Sequence, residues 1–141
     1  MIHLLWPILL VVGANTVYNI AAKSTPPGIN SFASLAVSYF VAMVSAIALF
    51  FATSGQKNLL AEFSKMNWTS VALGIVIVAL EFGYISAYRA GWKVSVASLV
   101  ANLSLAVILL AVGLLLYKES LSLRQILGMC LCGAGLVLIA R

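Results

Sequence analysis

"WTSVALGIVIVALEFGYISAYR", residues 68–89, is a run of 22 residues that is apolar from Val71 to Leu80, places a glutamate at position 81 and closes on an arginine. As a helix rising 1.5 Å per residue it reaches about 33 Å, enough to cross the roughly 30 Å hydrocarbon core of a bilayer. It has no period-2 alternation, and an unpaired backbone group in hydrocarbon costs several kcal/mol, so the run reads as a helix. Apolar windows of the same kind cover residues 2–22, 31–53, 94–117 and 122–140. Nearly the whole chain therefore lies in or against lipid.

Composition agrees. The 141 residues are 64% hydrophobic and 8% charged, with a mean hydropathy of +1.15, whereas a soluble domain carries about 25% charged residues. The expected class is an all-α integral membrane protein with five transmembrane helices in one domain, residues 1–141. The first window has no Lys or Arg ahead of its apolar stretch and four more follow it, so it is read as a retained helix and not a signal peptide.

The connections are short, which makes successive helices antiparallel. "KSTPPGIN" (23–30) holds a Pro-Pro-Gly turn, "AGWKVS" (90–95) is a tight link, and "KESLS" (118–122) offers Ser120 or Ser122 as a cap for the last helix. The longest link, "SGQKNLLAEFSKMN" (54–67), sets Leu59, Phe63 and Met66 at helical spacing among Lys57, Glu62 and Lys65. Such a segment is either a short amphipathic turn on the membrane surface or an ordinary solvated loop.

The formal charge of +5 comes from eight Lys and Arg scattered among the span ends, with no contiguous patch, so no nucleic-acid partner is expected. Positive residues ordinarily stay in the cytoplasm. With five spans, Lys57, Lys65, Lys118 and Arg124 lie on the amino-terminal side and Lys23, Arg89, Lys93 and Arg141 on the other. Four against four is a tie. Either something other than charge orients the chain, or it inserts both ways up, which would let two copies pair antiparallel and recreate an inverted repeat as a homodimer.

Inside the spans the polar residues fall on stripes. Asn15, Tyr18, Asn19 and Ala22 share a face of the first helix, Gly74, Glu81, Tyr84 and Tyr88 a face of the third, and Ser95, Ser98 and Asn102 a face of the fourth. Ser34, Ser38 and Ser45 line the second. In lipid such stripes turn toward other helices or a water-filled cavity. Serines there are adequately explained as interhelical hydrogen bonds. An Asn amide has more donors and acceptors to satisfy, and Asn15, Asn19 and Asn102 are read as cavity-lining candidates.

Glu81 is the sharpest signal. It stands about 13 residues into its span, near the bilayer midplane, where a charged residue costs roughly 2.5–3.5 kcal/mol to insert. Arg89 is about 12 Å further along the same helix and offset by about 80°, so direct pairing is not expected. Burial disfavours the charged form of a carboxyl. Glu81 is therefore expected to hold a proton, or to release it and hold a cationic or polar substrate, which is the logic of proton antiport. A permanently protonated, structural carboxyl is the alternative. Tyr18, Tyr84 and Tyr88 offer aromatic faces that suit a cation.

The carboxy-terminal stretch "ISAYRAGWKVSVASLVANLSLAVILLAVGLLLYKESLSLRQILGMCLCGAGLVLIAR" (85–141) resembles the end of an EamA-type repeat of the drug/metabolite transporter superfamily: Glu119 closes a helix, followed by Leu121, Ser122, Gln125, Gly128 and Gly135. The resemblance implies a five-helix unit forming one half of an inverted repeat, completed here by dimerisation, in a multi-pass protein of a bacterial inner (cytoplasmic) membrane. Family members move small metabolites or drugs. Two departures limit the transfer. Helix 4 reads "NLSLAV" (102–107) where the family often has a proline, and Asn15 stands where small multidrug relatives have their glutamate.

The remaining residues carry little chemistry. Gly128 and Cys132 form a small-xxx-small pair suited to close helix packing, with Gly135 further along the same helix. Cys130 and Cys132 point about 200° apart and cannot pair with each other. Glu119 before the last helix suits the helix dipole, and His3 is read as a surface or packing residue. No hydrolase motif, P-loop, metal-ligand cluster or cofactor motif is present, so an enzyme, a metal and a cofactor are not expected. The expected function is a secondary transporter coupled to protons, acting as an antiparallel homodimer on a small polar or cationic solute. The alternatives are a carrier of a lipid-linked intermediate and a non-transporting subunit that needs a different partner half.

Overall fold

The computed structural model describes residues 2–55, 58–118 and 122–139. They form six helices: α1 (Ile2–Ser24), α2 (Ser31–Thr53), α3 (Leu59–Phe63), α4 (Trp68–Arg89), α5 (Val94–Leu115) and α6 (Leu123–Ile139). The elements are all helical, and among the described residues α1, α2, α4 and α5 are long and apolar enough to cross a membrane. α6 has 17 residues, which at 1.5 Å each give about 26 Å, less than the hydrocarbon thickness. The chain is an integral, multi-pass membrane protein.

The local chemistry explains the ends. Asn30 caps α2, its side chain accepting from the backbone of Phe32 at 2.9 Å and Ala33 at 3.3 Å, which satisfies donors that a helix start leaves open. Asn58 does the same for α3 by accepting from Ala61 at 3.2 Å. Ser122 and Gln125 form a reciprocal capping box at the start of α6: the Ser122 backbone donates to Gln125 Oε1 at 2.8 Å and the Gln125 backbone to Ser122 Oγ at 3.4 Å. Of the two caps expected there, Ser122 is the one seen; Ser120, like Glu119, lies outside the described residues. Gly91 takes a positive φ of 99°, a conformation that glycine adopts without steric cost.

The long link contains a single helical turn. α3 has five residues, Leu60, Phe63 and Met66 stand exposed beside it, and Lys65 pairs with Glu62 at 2.7 Å. Residues 54–67 thus contain a helical turn, while Lys57, part of the expected amphipathic pattern, lies outside the described residues.

The chain divides into two compact units, α1–α4 and α5–α6. In the first, α4 packs against both α1 and α2. Residues near the carboxy ends of α1 and α4 touch each other, so these two helices run parallel, and α2 runs antiparallel to both. In the second unit α5 packs against α6, with Ala97 and Gly113 buried. A Cβ built at Gly128 or Gly135 meets nothing within 4 Å, and Cys132 is exposed. The small-residue face of α6 is uncovered among the described residues.

Burial is inverted relative to a soluble domain. Asn19 and Tyr88 are each only 4% exposed, while Leu9 and Val17 are 68% and 67% exposed. Apolar surface faces outward along the spans because lipid is as good a solvent for it as a protein core, and the polar groups turn inward to find partners.

Candidate functional site

The site lies where α1, α2 and α4 meet. α4 supplies Glu81 and Ile85, α1 supplies Tyr18, Ala21, Ala22 and Thr25, and α2 supplies Ser34, Leu35 and Ser38 to a partly open cavity of about 160 Å³. At roughly 30 Å³ per molecule this is room for about five waters or one small solute. Glu81 is the fourteenth residue of the 22 in α4, about 20 Å from its start. The cavity extends from that depth toward the end of the unit that carries the link between α1 and α2.

Glu81 is half-buried and makes no ion pair among the described residues, where the pair present is Glu62–Lys65. Arg89 is engaged elsewhere, as its spacing from Glu81 led one to expect. Its guanidinium donates to Ser31 Oγ at 2.7 Å, to the Ile29 carbonyl at 2.6 Å and to the Pro26 carbonyl at 3.2 Å. A planar fork with several donors suits a turn whose carbonyls point to one side.

Two tyrosine hydroxyls are buried near Glu81, one on the cavity residue Tyr18 and one on Tyr39, which follows the cavity residue Ser38 in α2 but does not line the cavity. Those of Tyr18 and Tyr39 are shut off from solvent and have no hydrogen-bond partner among the described residues. Both rings lie close enough to Glu81 to feel its carboxylate. The Tyr39 hydroxyl approaches the carboxyl most directly, although no bond of ordinary geometry joins them. Tyr18 is held by an edge-to-face contact with Tyr84, ring centroids 5.6 Å apart.

A polar network braces the floor of the site. Tyr88 donates its hydroxyl to Asn19 Oδ1, and Asn19 donates through Nδ2 to the Asn15 carbonyl at 2.7 Å and to Asn15 Oδ1 at 2.8 Å. Lys23 donates to the Tyr88 carbonyl at 3.2 Å and lies 5.8 Å from the centre of the Tyr88 ring, so it stabilises the carboxy-terminal end of α4. On the α2 side, Phe32 and Phe82 stack with centroids 4.8 Å apart.

The structure thus brings Glu81 and Tyr18 to one cavity. Tyr84, Tyr88, Asn19 and Asn15 stand behind it as ring and hydrogen-bond supports and do not line it. Ser98 and Asn102 belong to the other unit, where Asn102 donates to the Ser98 carbonyl at 2.8 Å and to Ser98 Oγ at 3.3 Å. Reading the sequence for sites missed Tyr39, which sits between Ser38 and Phe40 one position off the serine stripe. Its signal was the spacing Ser31, Leu35, Tyr39, a second face of α2 at i, i+4 and i+8.

The arrangement places one carboxyl group, able to accept hydrogen bonds, against a partly open cavity. No curated relative and no solved structure matches the chain at a significant level. The pattern of the EamA-like transporter family, however, matches residues 4–141. That match covers both units, and a chain of membrane-spanning helices that also carries the Ser122–Gln125 start of α6 belongs to the EamA-like transporter family.

Proposed function

We propose that the chain is a secondary active transporter that exports a small polar or cationic metabolite or drug in exchange for protons. The observation that carries this reading is Glu81 facing the α1–α2–α4 cavity without a cationic side chain lining it among the described residues. A desolvated carboxylate is costly to leave charged and empty, so it favours either a proton or a positively charged solute, and each displaces the other. That competition couples the two fluxes.

The working unit in this proposal is an antiparallel homodimer of five-helix subunits, with α6 as the fifth span. The even division of Lys and Arg between the two sides supports insertion both ways up. The small-residue face at Gly128, Cys132 and Gly135, uncovered among the described residues, is a surface on which a second copy can pack closely.

The test is transport by the full chain in lipid vesicles. Zwitterionic and cationic solutes are offered against an imposed pH gradient, with protein-free vesicles as the baseline. Solute-driven proton release is expected from the native chain and not from Glu81→Gln. Proton-coupled flux that survives this substitution would remove Glu81 from the mechanism.

A further inference from the structure

The residues that line the α1–α2–α4 cavity all come from one end of their helices. α1 ends and α2 begins at the link of residues 25–30, and α4 finishes beside it, its Arg89 bonded to Pro26, Ile29 and Ser31. Tyr18 stands six residues before Ser24, Ser38 seven after Ser31 and Glu81 eight before Arg89, and these are the deepest lining residues of their helices. At 1.5 Å per residue they share one level, about 9–12 Å from the helix ends. Among the described residues no lining residue lies beyond them, and the Tyr18 hydroxyl is itself shut off from solvent.

Between this level and the link, hydroxyls recur on the lining. Thr25 and Ser34 stand near the link and Ser38 at the depth of Glu81. Thr25 Oγ1 donates to the Ala21 carbonyl and Ser38 Oγ to the Ser34 carbonyl, both at 3.2 Å, so each oxygen keeps its lone pairs for another donor. α1 and α2 pack on α4 but not on each other among the described residues, so the space between them is entered either from the membrane face at the link or sideways from lipid. Acceptors placed at each level suit water, whereas a groove facing hydrocarbon leaves them without partners.

From this geometry we infer that the cavity is a one-ended aqueous passage, which brings water and solute to Glu81 from the membrane face carrying the α1–α2 link and is closed toward the face carrying α3. The inference rests on the reading of Glu81 as the coupling group and adds the route by which it is reached. A proton released by Glu81 then leaves toward the link, and exchange with the other face requires the inner end at Tyr18 and Ser38 to open.

The experiment uses the full chain with Cys130 and Cys132 replaced by serine, held in lipid nanodiscs that leave both membrane faces in water, so that the direction of insertion does not enter. Single cysteines are reacted with a charged, water-soluble methanethiosulfonate. A thiol reacts as its thiolate, which forms where water reaches it and not against hydrocarbon. Ser34→Cys, Ser38→Cys and Ala21→Cys are expected to react at least about tenfold faster than three controls. Ser45→Cys and Gly74→Cys lie beyond the inner end, seven residues past Ser38 and seven before Glu81 on the same helix faces. Ile20→Cys lies at the depth of the passage on an exposed residue that does not line it.

The changes from serine alter one atom each, so the comparison of positions 34, 38 and 45 does not hang on the larger substitutions. Reaction at Ser45→Cys or Gly74→Cys at the rate of Ser38→Cys would mean a path open at both ends and would overturn the inference. Reaction at Ser34→Cys or Ser38→Cys as slow as at Ile20→Cys would mean that water from the link does not reach Glu81, and would overturn it equally. Were the labelling to fail while Glu81→Gln still abolished proton-coupled flux, the transport reading would stand without this route. Labelling as expected, with flux untouched by Glu81→Gln, would remove the transport reading and leave the passage.

Discussion

The Tyr88 hydroxyl on α4 is hydrogen-bonded to Asn19 on α1, a residue 69 positions earlier in the chain, and both side chains are buried. This bond ties the helix that carries Glu81 to the helix that carries Tyr18, so it sets the width of the cavity between them. Asn19→Ala removes the partners of both Tyr88 and Asn15 at once and leaves the Tyr88 hydroxyl buried and unsatisfied. Its expected cost is about 1–3 kcal/mol. Tyr88→Phe removes one bond and should cost less, about 0.6 kcal/mol as is usual for interhelical bonds in membranes. Reversible unfolding in mixed micelles checks the order of the two.

Arg89 holds the link between α1 and α2 through Ser31 and the carbonyls of Ile29 and Pro26. Arg89→Lys keeps the charge but loses the planar fork, and should behave more like Arg89→Ala than like the native chain. The expected readout is faster backbone hydrogen exchange across residues 25–31, by about tenfold for a loss near 1.4 kcal/mol. Exchange in α5 should stay as it was.

Ser38→Leu places an apolar side chain in the space that Glu81 faces. Because the cavity has room for it, the substitution avoids the overpacking penalty of about 1–3 kcal/mol that a filled core would impose. Stability should change little while proton-coupled flux falls roughly tenfold, an effect of about 1.4 kcal/mol. Flux at the native level would mean that solute does not pass this cavity.

Orientation is testable with one thiol. Cys130 and Cys132 are exposed, so both are first replaced by serine, and a cysteine is then introduced at Ser64 beside α3. Equal labelling from the two sides of the membrane in intact cells supports insertion both ways up. Labelling from one side only rejects the antiparallel homodimer.

Much of this fold was legible in the sequence because lipid imposes length. The windows 31–53 and 68–89 coincide with α2 and α4, where Asn30 and the Pro-Pro-Gly turn mark one boundary and Arg89 another. α1 runs past residue 22 to Ser24, carrying Lys23 to the Tyr88 carbonyl, and α5 ends at Leu115, two residues short of the window. The placement of Glu81 and Tyr18 on one cavity followed from stripes at helical spacing. The role of Arg89 did not, since two of its three acceptors are backbone carbonyls and a carbonyl leaves no mark on residue type. Tyr39 was hidden for a different reason. Its neighbours Phe40 and Val41 make the surrounding stretch read as lipid-facing, and only the packing of α2 on α4 turns that one hydroxyl inward.

Among the described residues, the hydrogen bonds and ring contacts that join α4 to its neighbours sit between Glu81 and Arg89: Tyr84 to Tyr18, Tyr88 to Asn19 and Lys23, Phe82 to Phe32, Arg89 to the α1–α2 link. None of these lies in residues 68–80. The polar and aromatic fastening of the three helices is thus gathered at the end that carries the α1–α2 link. Glu81 stands where that fastened stretch of α4 begins, so the carboxylate and the fastening share one end of the helix.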